Sequence, residues 1–325
     1  MSAGPVSIYP EERLERDRWI MARRRPRNVL DPLRPYAFFV EEECSANGEI
    51  VPVATVFLTN RECPWRCLMC DLWQDTLTET LPSGAIPAQI NYALKQLPEA
   101  RHIKLYNNGS FFDPGAIPPQ DYEEIAGLLS KFDRVIVESH PALIGDKCFR
   151  FKNLLDGKLE VAMGLETVHP QILERLNKQM TLEQFSKAAE SLRDHAIAIR
   201  TFILVKPPFM NDEEALEWAA RSLDFAFGCG ASVATLIPTR PGNGALEELS
   251  LGGDFASPRL STLERALACG LSLARGRVFV DLWNVTGLAK CFACAEARVA
   301  RLNWMNLHQA AGDAIDCDRC GGKAD

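Results

Sequence analysis

The chain has 325 residues, 47% of them hydrophobic and 24% charged, with a formal net charge of −7. That length and balance fit one large globular α/β domain plus an appendage, without requiring a second full domain. No run of eighteen uncharged apolar residues occurs, which excludes a membrane-spanning helix, and the acidity disfavours a polyanion gripped by the whole surface.

In chain order, the opening MSAGPVSIYPEERLERDRW lacks the apolar stretch of a secretory leader, so a cytoplasmic location is expected. A short basic run, RRRPR from Arg23 to Arg27, follows. Such runs are usually solvated surface, and the functional alternative is contact with RNA or an anionic substrate. From about residue 50 the chain alternates strand-like runs (IVPVATVFL, HIKLYN, DRVIVES, LEVAMGLE, IAIRTFILV, ASVATLIP, RVFVDLW) with amphipathic helical segments such as TLEQFSKAAESLRDH. This rhythm predicts parallel strands covered by helices, and the near-continuous apolar runs predict strands buried on both faces. Six or seven strands suit a partial (β/α)6-type parallel barrel, with an open doubly wound sheet as the alternative. Either way, functional residues collect at the C-terminal ends of the strands. The expected division is an N-terminal extension over 1–49, the barrel over 50–286 and a small C-terminal cysteine-rich metal-binding tail over 287–325.

Eleven cysteines in a chain with no expected export signal point to metal sites or buried thiols rather than disulfides. Cys44, Cys148, Cys229 and Cys269 stand alone and read as small buried hydrophobes. Directly after the first predicted strand, TNRECPWRCLMCDLW sets Cys63, Cys67 and Cys70 in a C-x3-C-x2-C spacing. A compact cysteine loop of this kind is typical of iron–sulfur clusters. A [4Fe–4S] cluster that only carries electrons takes four protein ligands; the loop supplies three, which leaves one iron open to a small molecule. The alternative, a zinc knuckle, needs a fourth nitrogen or sulfur ligand, and no histidine lies within thirty residues.

Placed after the first strand of a repeating β/α domain, this loop resembles that of the radical S-adenosylmethionine (SAM) superfamily, over about residues 50–285. The resemblance implies a [4Fe–4S] cluster on the three cysteines, with the fourth iron binding the amino and carboxylate groups of SAM. Electron transfer then yields methionine and a 5′-deoxyadenosyl radical. Met69 departs from the aromatic residue common before the third cysteine, at a position that mainly shields the cluster.

The resemblance also implies SAM contacts at later strand ends. HIKLYN runs into Asn107, Asn108, Gly109 and Ser110, where glycine permits close backbone approach and the flanking side chains offer oxygens to an ammonium. The acidic residue usual in this turn is absent, so the backbone role is what carries over. Glu138 in VIVESHP and Glu166 in MGLETVHP are ionisable groups at strand ends that need a partner or a solvated site. Glu166 resembles the family's polar residue that contacts SAM, and Arg200, inside IAIRTFILV, resembles the basic residue facing the SAM carboxylate or the substrate. For both, the alternative is a buried Glu–Arg pair joining strands. His140 and His169 read as hydrogen-bonded turn residues, and Arg240 in IPTRPGNG as an anion contact. The segments VESHP and GLETVHPQILERLNKQMTLEQF place the likeness nearest the Elongator-type catalytic subunit and the archaeosine synthase radical subunit, both of which act on tRNA bases. The acetyltransferase domain of the first is missing, and the cysteine loop of the second is spaced differently.

In the tail, Cys291 and Cys294 form one C-x2-C, and Cys317 and Cys320 another. Two knuckles closing a short segment match a four-cysteine structural zinc site, with a second iron–sulfur cluster as the alternative. Arg298, Arg301, Asn303, Trp304, Asn306 and Gln309, between the knuckles, either line the barrel mouth or pack the tail onto it. The expected cofactors are therefore a [4Fe–4S] cluster, SAM and Zn2+. The function these features imply is a radical SAM enzyme acting on an organic substrate. The alternatives are a radical enzyme modifying a tRNA base and a non-catalytic iron–sulfur electron carrier or scaffold. Expected partners are an electron donor such as a flavodoxin or ferredoxin and a small-molecule substrate in preference to tRNA, with no membrane.

Overall fold

The computed structural model describes residues 7–320. Eight strands form one sheet in chain order: β1 Ala37–Cys44, β2 Ile50–Phe57, β3 His102–Tyr106, β4 Arg134–Glu138, β5 Lys158–Glu166, β6 Ala198–Val205, β7 Val233–Pro238 and β8 Arg277–Val280. Strands β2 to β8 are the seven apolar runs of the sequence and are mutually parallel, each joined to the next through helical segments. Alternate residues explain the curvature. Ile103 and Leu105 of β3, Val135 and Val137 of β4, and Val278 and Val280 of β8 are buried with the outer helices in the main core. Their neighbours Lys104, Tyr106, Glu138 and Phe279 face the other side, the lumen of a partial barrel.

The sheet begins inside the segment 1–49, which the sequence reading had set apart as an extension. AFFVEEEC pairs antiparallel with β2 along its full length. Its acidic residues hid it, because carboxylates are unusual on the inner face of a sheet. They are neutralised there by cations from distant strands. Lys104 of β3 lies 2.9 Å from Glu41 and 2.7 Å from Glu43, and Arg200 of β6 pairs with Glu43 and, at 2.7 Å, with Glu160 of β5.

Among the described residues, no strand pairs with the outer edge of β8. Instead the helix Ala295–His308 and its cap supply side-chain amides in place of a strand. Asn306 accepts from Val280 N at 2.9 Å and donates to Val280 O at 2.8 Å; Gln309 does the same for Val278 at 2.7 and 3.0 Å. Arg277 bridges the gap by donating to the Cys44 carbonyl at 2.7 Å. The open edge is thereby satisfied and blocked against another chain. Of the tail side chains, Arg298 and Arg301 pair with Glu264, so this helix packs the tail onto the barrel. No helix among the described residues is long and apolar enough to cross a membrane.

Replacing Asn306 with alanine strands both polar groups of Val280 at the edge, at a cost of about 1–3 kcal/mol. Urea unfolding of Asn306→Ala and wild type at matched metal content should show that loss, and an unchanged midpoint would remove the amide from the edge-pairing role.

Candidate active site and metal centres

The cysteine loop leaves the C-terminal end of β2 and lies across the rim of the barrel, gripped by the loops that follow four other strands. After β3, Gly109 packs so closely that a Cβ there would sit 2.9 Å from the Cys63 Cβ. After β4, the His140 ring stacks on Trp65 at 3.8 Å and 13°. After β5, Asn177 donates to the Arg66 carbonyl at 2.8 Å, and Leu68 N donates to the Leu176 carbonyl at 2.9 Å. After β7, Asn243 donates to the carbonyls of Leu68 at 2.7 Å and Cys70 at 3.3 Å.

The fifth support is the basic run. Arg24 and Arg66 lie 2.7 and 3.1 Å from Glu62, the residue before Cys63, and Arg27 joins the same carboxylate. Arg27 also donates to the Trp73 carbonyl and the Thr76 hydroxyl, both at 2.6 Å. Arg23 lies over the Trp19 ring at 3.6 Å, and its carbonyl rests on Gly244, whose φ of +84° and lack of a Cβ permit the contact. Arg25 reaches Glu247 at 3.8 Å while remaining two-thirds exposed. RRRPR is thus an internal strap over the cysteine loop rather than a free cationic surface.

Glu138, at the end of β4, shapes the turn that follows β3. Its Oε1 accepts from Asn107 N at 2.6 Å and Gly109 N at 3.3 Å. Desolvation pushes this carboxyl up from about 4.5 to about 7, against the pull of those amides. The side chains of the turn face elsewhere: Asn108, at φ +53°, accepts from the Tyr36 hydroxyl at 2.8 Å, and Ser110 accepts from His140 N at 2.8 Å. Asn107 is fully buried with both amide atoms unpartnered. His140 accepts from Ala142 N and contacts the Lys178 carbonyl, and burial pushes it down to about 3, so it stays neutral. His169 accepts from Ile172 N at 3.4 Å. Both are hydrogen-bonded turn residues.

Glu166 ends β5 at the rim, where its Oε1 accepts from Lys178 Nζ at 2.7 Å. Arg200 is a correction. It lies five residues before the end of β6, about 16 Å below the rim at 3.3 Å per residue, and is saturated by Glu43 and Glu160. It belongs to the ion pairs of the barrel floor. Arg240 pairs with Asp281 at 2.8 Å beside the mouth. Sequence reasoning missed Glu62, Asn177, Lys178 and Asn243. Glu62 lies beside Cys63 in sequence, but nothing there shows its arginine partners. Asn177 and Lys178 sit in the run LERLNKQM, which reads as a helix end, and nothing local marks them or Asn243 as lying against the cysteine loop.

Burial raises all three loop thiols, Cys67 to about 12. They would become thiolates only beside a strong positive centre, as metal binding requires. Among the described residues, the tail is where three or more candidate ligand atoms lie within 4.8 Å of one another. The loop thiols are not drawn together to that degree, so they do not make a single-ion site and fit a cluster with thiolates on separate irons. The tail does fit one ion: Cys291 and Cys317 lie 4.0 Å apart and Cys294 and Cys320 3.8 Å apart.

No family model matches the chain. Among curated proteins it is 28% identical over 237 residues to an uncharacterised protein of Methanocaldococcus jannaschii, covering 68% of this chain and 65% of that relative, somewhat under two thirds. It is 25% identical over 291 residues to archaeosine synthase subunit beta of Methanosarcina acetivorans, covering 84% of each. Similar solved structures include Elp3 of Methanocaldococcus infernus (14% identity, 72% of this chain and 60% of that one, TM-score 0.49). Another is the radical SAM methyltransferase TsrM of Kitasatospora setae (15% identity, 58% and 38%, TM-score 0.45). A partial parallel barrel with three cysteines on a loop at its rim is the arrangement that the resemblance to the radical SAM superfamily led one to expect.

Because Glu138 holds its proton more tightly in the fold than in the unfolded chain, it makes stability fall as pH rises from about 4.5 through 7. Glu138→Gln can still accept from the turn and should flatten that fall in the metal-free protein. Thermal unfolding across pH 5–8 checks this, and parallel wild-type and mutant curves would refute it.

Proposed function

We propose that the chain cleaves SAM reductively at a [4Fe–4S] cluster held by Cys63, Cys67 and Cys70, and uses the resulting radical to abstract hydrogen from an organic substrate. The observation that carries this reading is a rim loop that sets three partly buried thiols, Cys63, Cys67 and Cys70, beyond the C-terminal end of the first parallel strand. Cys63, Cys67 and Cys70 would hold the cluster, which would supply the electron for reductive cleavage of SAM to methionine and a 5′-deoxyadenosyl radical. The chain's own residues orient the cofactor. Glu138 fixes the backbone of Asn107–Gly109 against Cys63, and the unpartnered amide of Asn107 leaves an acceptor for the SAM ammonium. Asn108 and Ser110 anchor that turn, and Glu166 is a rim carboxylate beside the loop.

For the tail we propose Zn2+. Tetrahedral zinc with Zn–S bonds of about 2.3 Å places sulfurs about 3.8 Å apart, close to the spacings across the four thiols, and leaves no open position. The electron donor is a flavodoxin- or ferredoxin-type protein, and the setting is the cytoplasm.

The substrate reading is a non-polymeric molecule, supported by the charge of −7 and by the inward use of the arginine run. A tRNA base is the second reading, favoured by the likeness to archaeosine synthase subunit beta.

Anaerobic reconstitution should give the broad visible absorption of a [4Fe–4S] cluster and methionine with 5′-deoxyadenosine from SAM and dithionite. Cys63, Cys67 and Cys70 changed together to alanine should abolish both while about one zinc per chain remains. An undiminished cluster in that variant, or iron and sulfide in place of its zinc, would overturn the respective assignment. For the substrate, mobility shifts with bulk tRNA at rising salt decide: weak binding supports the small molecule, and tight binding that falls steeply with salt supports tRNA.

A further inference from the structure

Lys178 stands out because the fold spends strain and buried charge on it. Its side chain is 10% exposed and that of its partner Glu166 8%. Burying such a pair contributes little net stability. Two non-glycine residues that pin it are left-handed, Glu166 at φ +65° and Gln179 at φ +58°, and Asn177, at φ +57°, fastens the same bend to the cysteine loop. Conformations of this kind persist where the surroundings impose them. Gly164 completes the arrangement: a Cβ there would collide with both the Glu166 carboxylate and the Lys178 ammonium. The charge has a target. Asn177, the residue before Lys178, donates to the Arg66 carbonyl, and the Lys178 carbonyl meets His140, whose ring stacks on Trp65; Trp65 and Arg66 both lie between Cys63 and Cys67.

We propose that Lys178 is a positioning residue for charge: held by Glu166, it keeps an ammonium against the Cys63–Cys67 side of the centre and makes electron uptake there easier. The role rests on the cluster reading of the loop. Adding an electron makes a thiolate-ligated cluster more negative, so a fixed cation nearby favours the reduced state and a fixed anion disfavours it. Lys178 thus acts on the electron that precedes SAM cleavage.

The test is an electron-paramagnetic-resonance redox titration of reconstituted full-length protein without SAM. Lys178→Met, similar in shape but uncharged, should shift the oxidised-to-reduced ratio about tenfold toward the oxidised form, about 59 mV lower for one electron, and Lys178→Arg should restore it. Glu166→Gln should shift the ratio the other way. A full iron content with wild-type potential in Lys178→Met overturns the role. Should Lys178→Met take up no iron, Glu166→Gln decides: a higher potential supports the role and an unchanged one overturns it. Failure of the wild type to assemble any cluster overturns the reading of the loop itself, and this role with it, whereas a cluster whose potential ignores Lys178 overturns this role alone.

Discussion

Glu43, Lys104, Glu160 and Arg200 meet on the inner face of a sheet whose outer face is sealed by helices, and removing any one of them leaves its partners charged and buried. These residues come from β1, β3, β5 and β6, so the pairing draws strands that are not neighbours towards one another across the lumen. It also explains why an acidic segment joins the sheet at all. With the floor filled by mutually satisfied charge, the space left for chemistry is at the opposite end, where the strands run out into the cysteine loop and its supports.

At that rim the same desolvation acts on sulfur. The loop that carries the three thiols is held by a glycine turn, an arginine strap and two asparagines, and desolvation raises all three thiols. Thiols whose ionisation desolvation opposes are suited to a centre that brings its own positive charge. The tail follows another logic. Its four thiols lie close together on a segment with little core of its own, and the helix between the knuckles doubles as the missing edge partner of β8. A metal bound by the tail thiols would therefore be coupled through one helix to order at the open edge of the barrel.

The strap changes how the charge of this protein is read. Arginines clustered in sequence commonly signal a polyanion, but Arg24 and Arg27 are committed to Glu62 and Arg23 to an aromatic face. Neutralising the run would loosen the cysteine loop before it tested any outside partner. A substrate therefore meets an acidic protein whose strongest local basic sequence is already engaged.

The chain's own pattern determined the parallel β/α order, the seven apolar strands, the open three-cysteine loop and the paired knuckles, because each depends on periodicity or on spacing within a few residues. Glu138 was visible as an ionisable group ending an apolar strand, but its grip on the β3 turn was not. Tertiary structure alone decided that AFFVEEEC is a strand, that Arg200 belongs to the floor rather than the rim, that Arg24 and Arg27 of RRRPR turn onto Glu62, and that Lys178 lies beside the cysteine loop. Each of these depends on partners more than a dozen residues away, such as Glu41 with Lys104 or Arg24 with Glu62. The free energy of a buried charge is set by the group that neutralises it, and which group does so is fixed only when distant strands close around the same space.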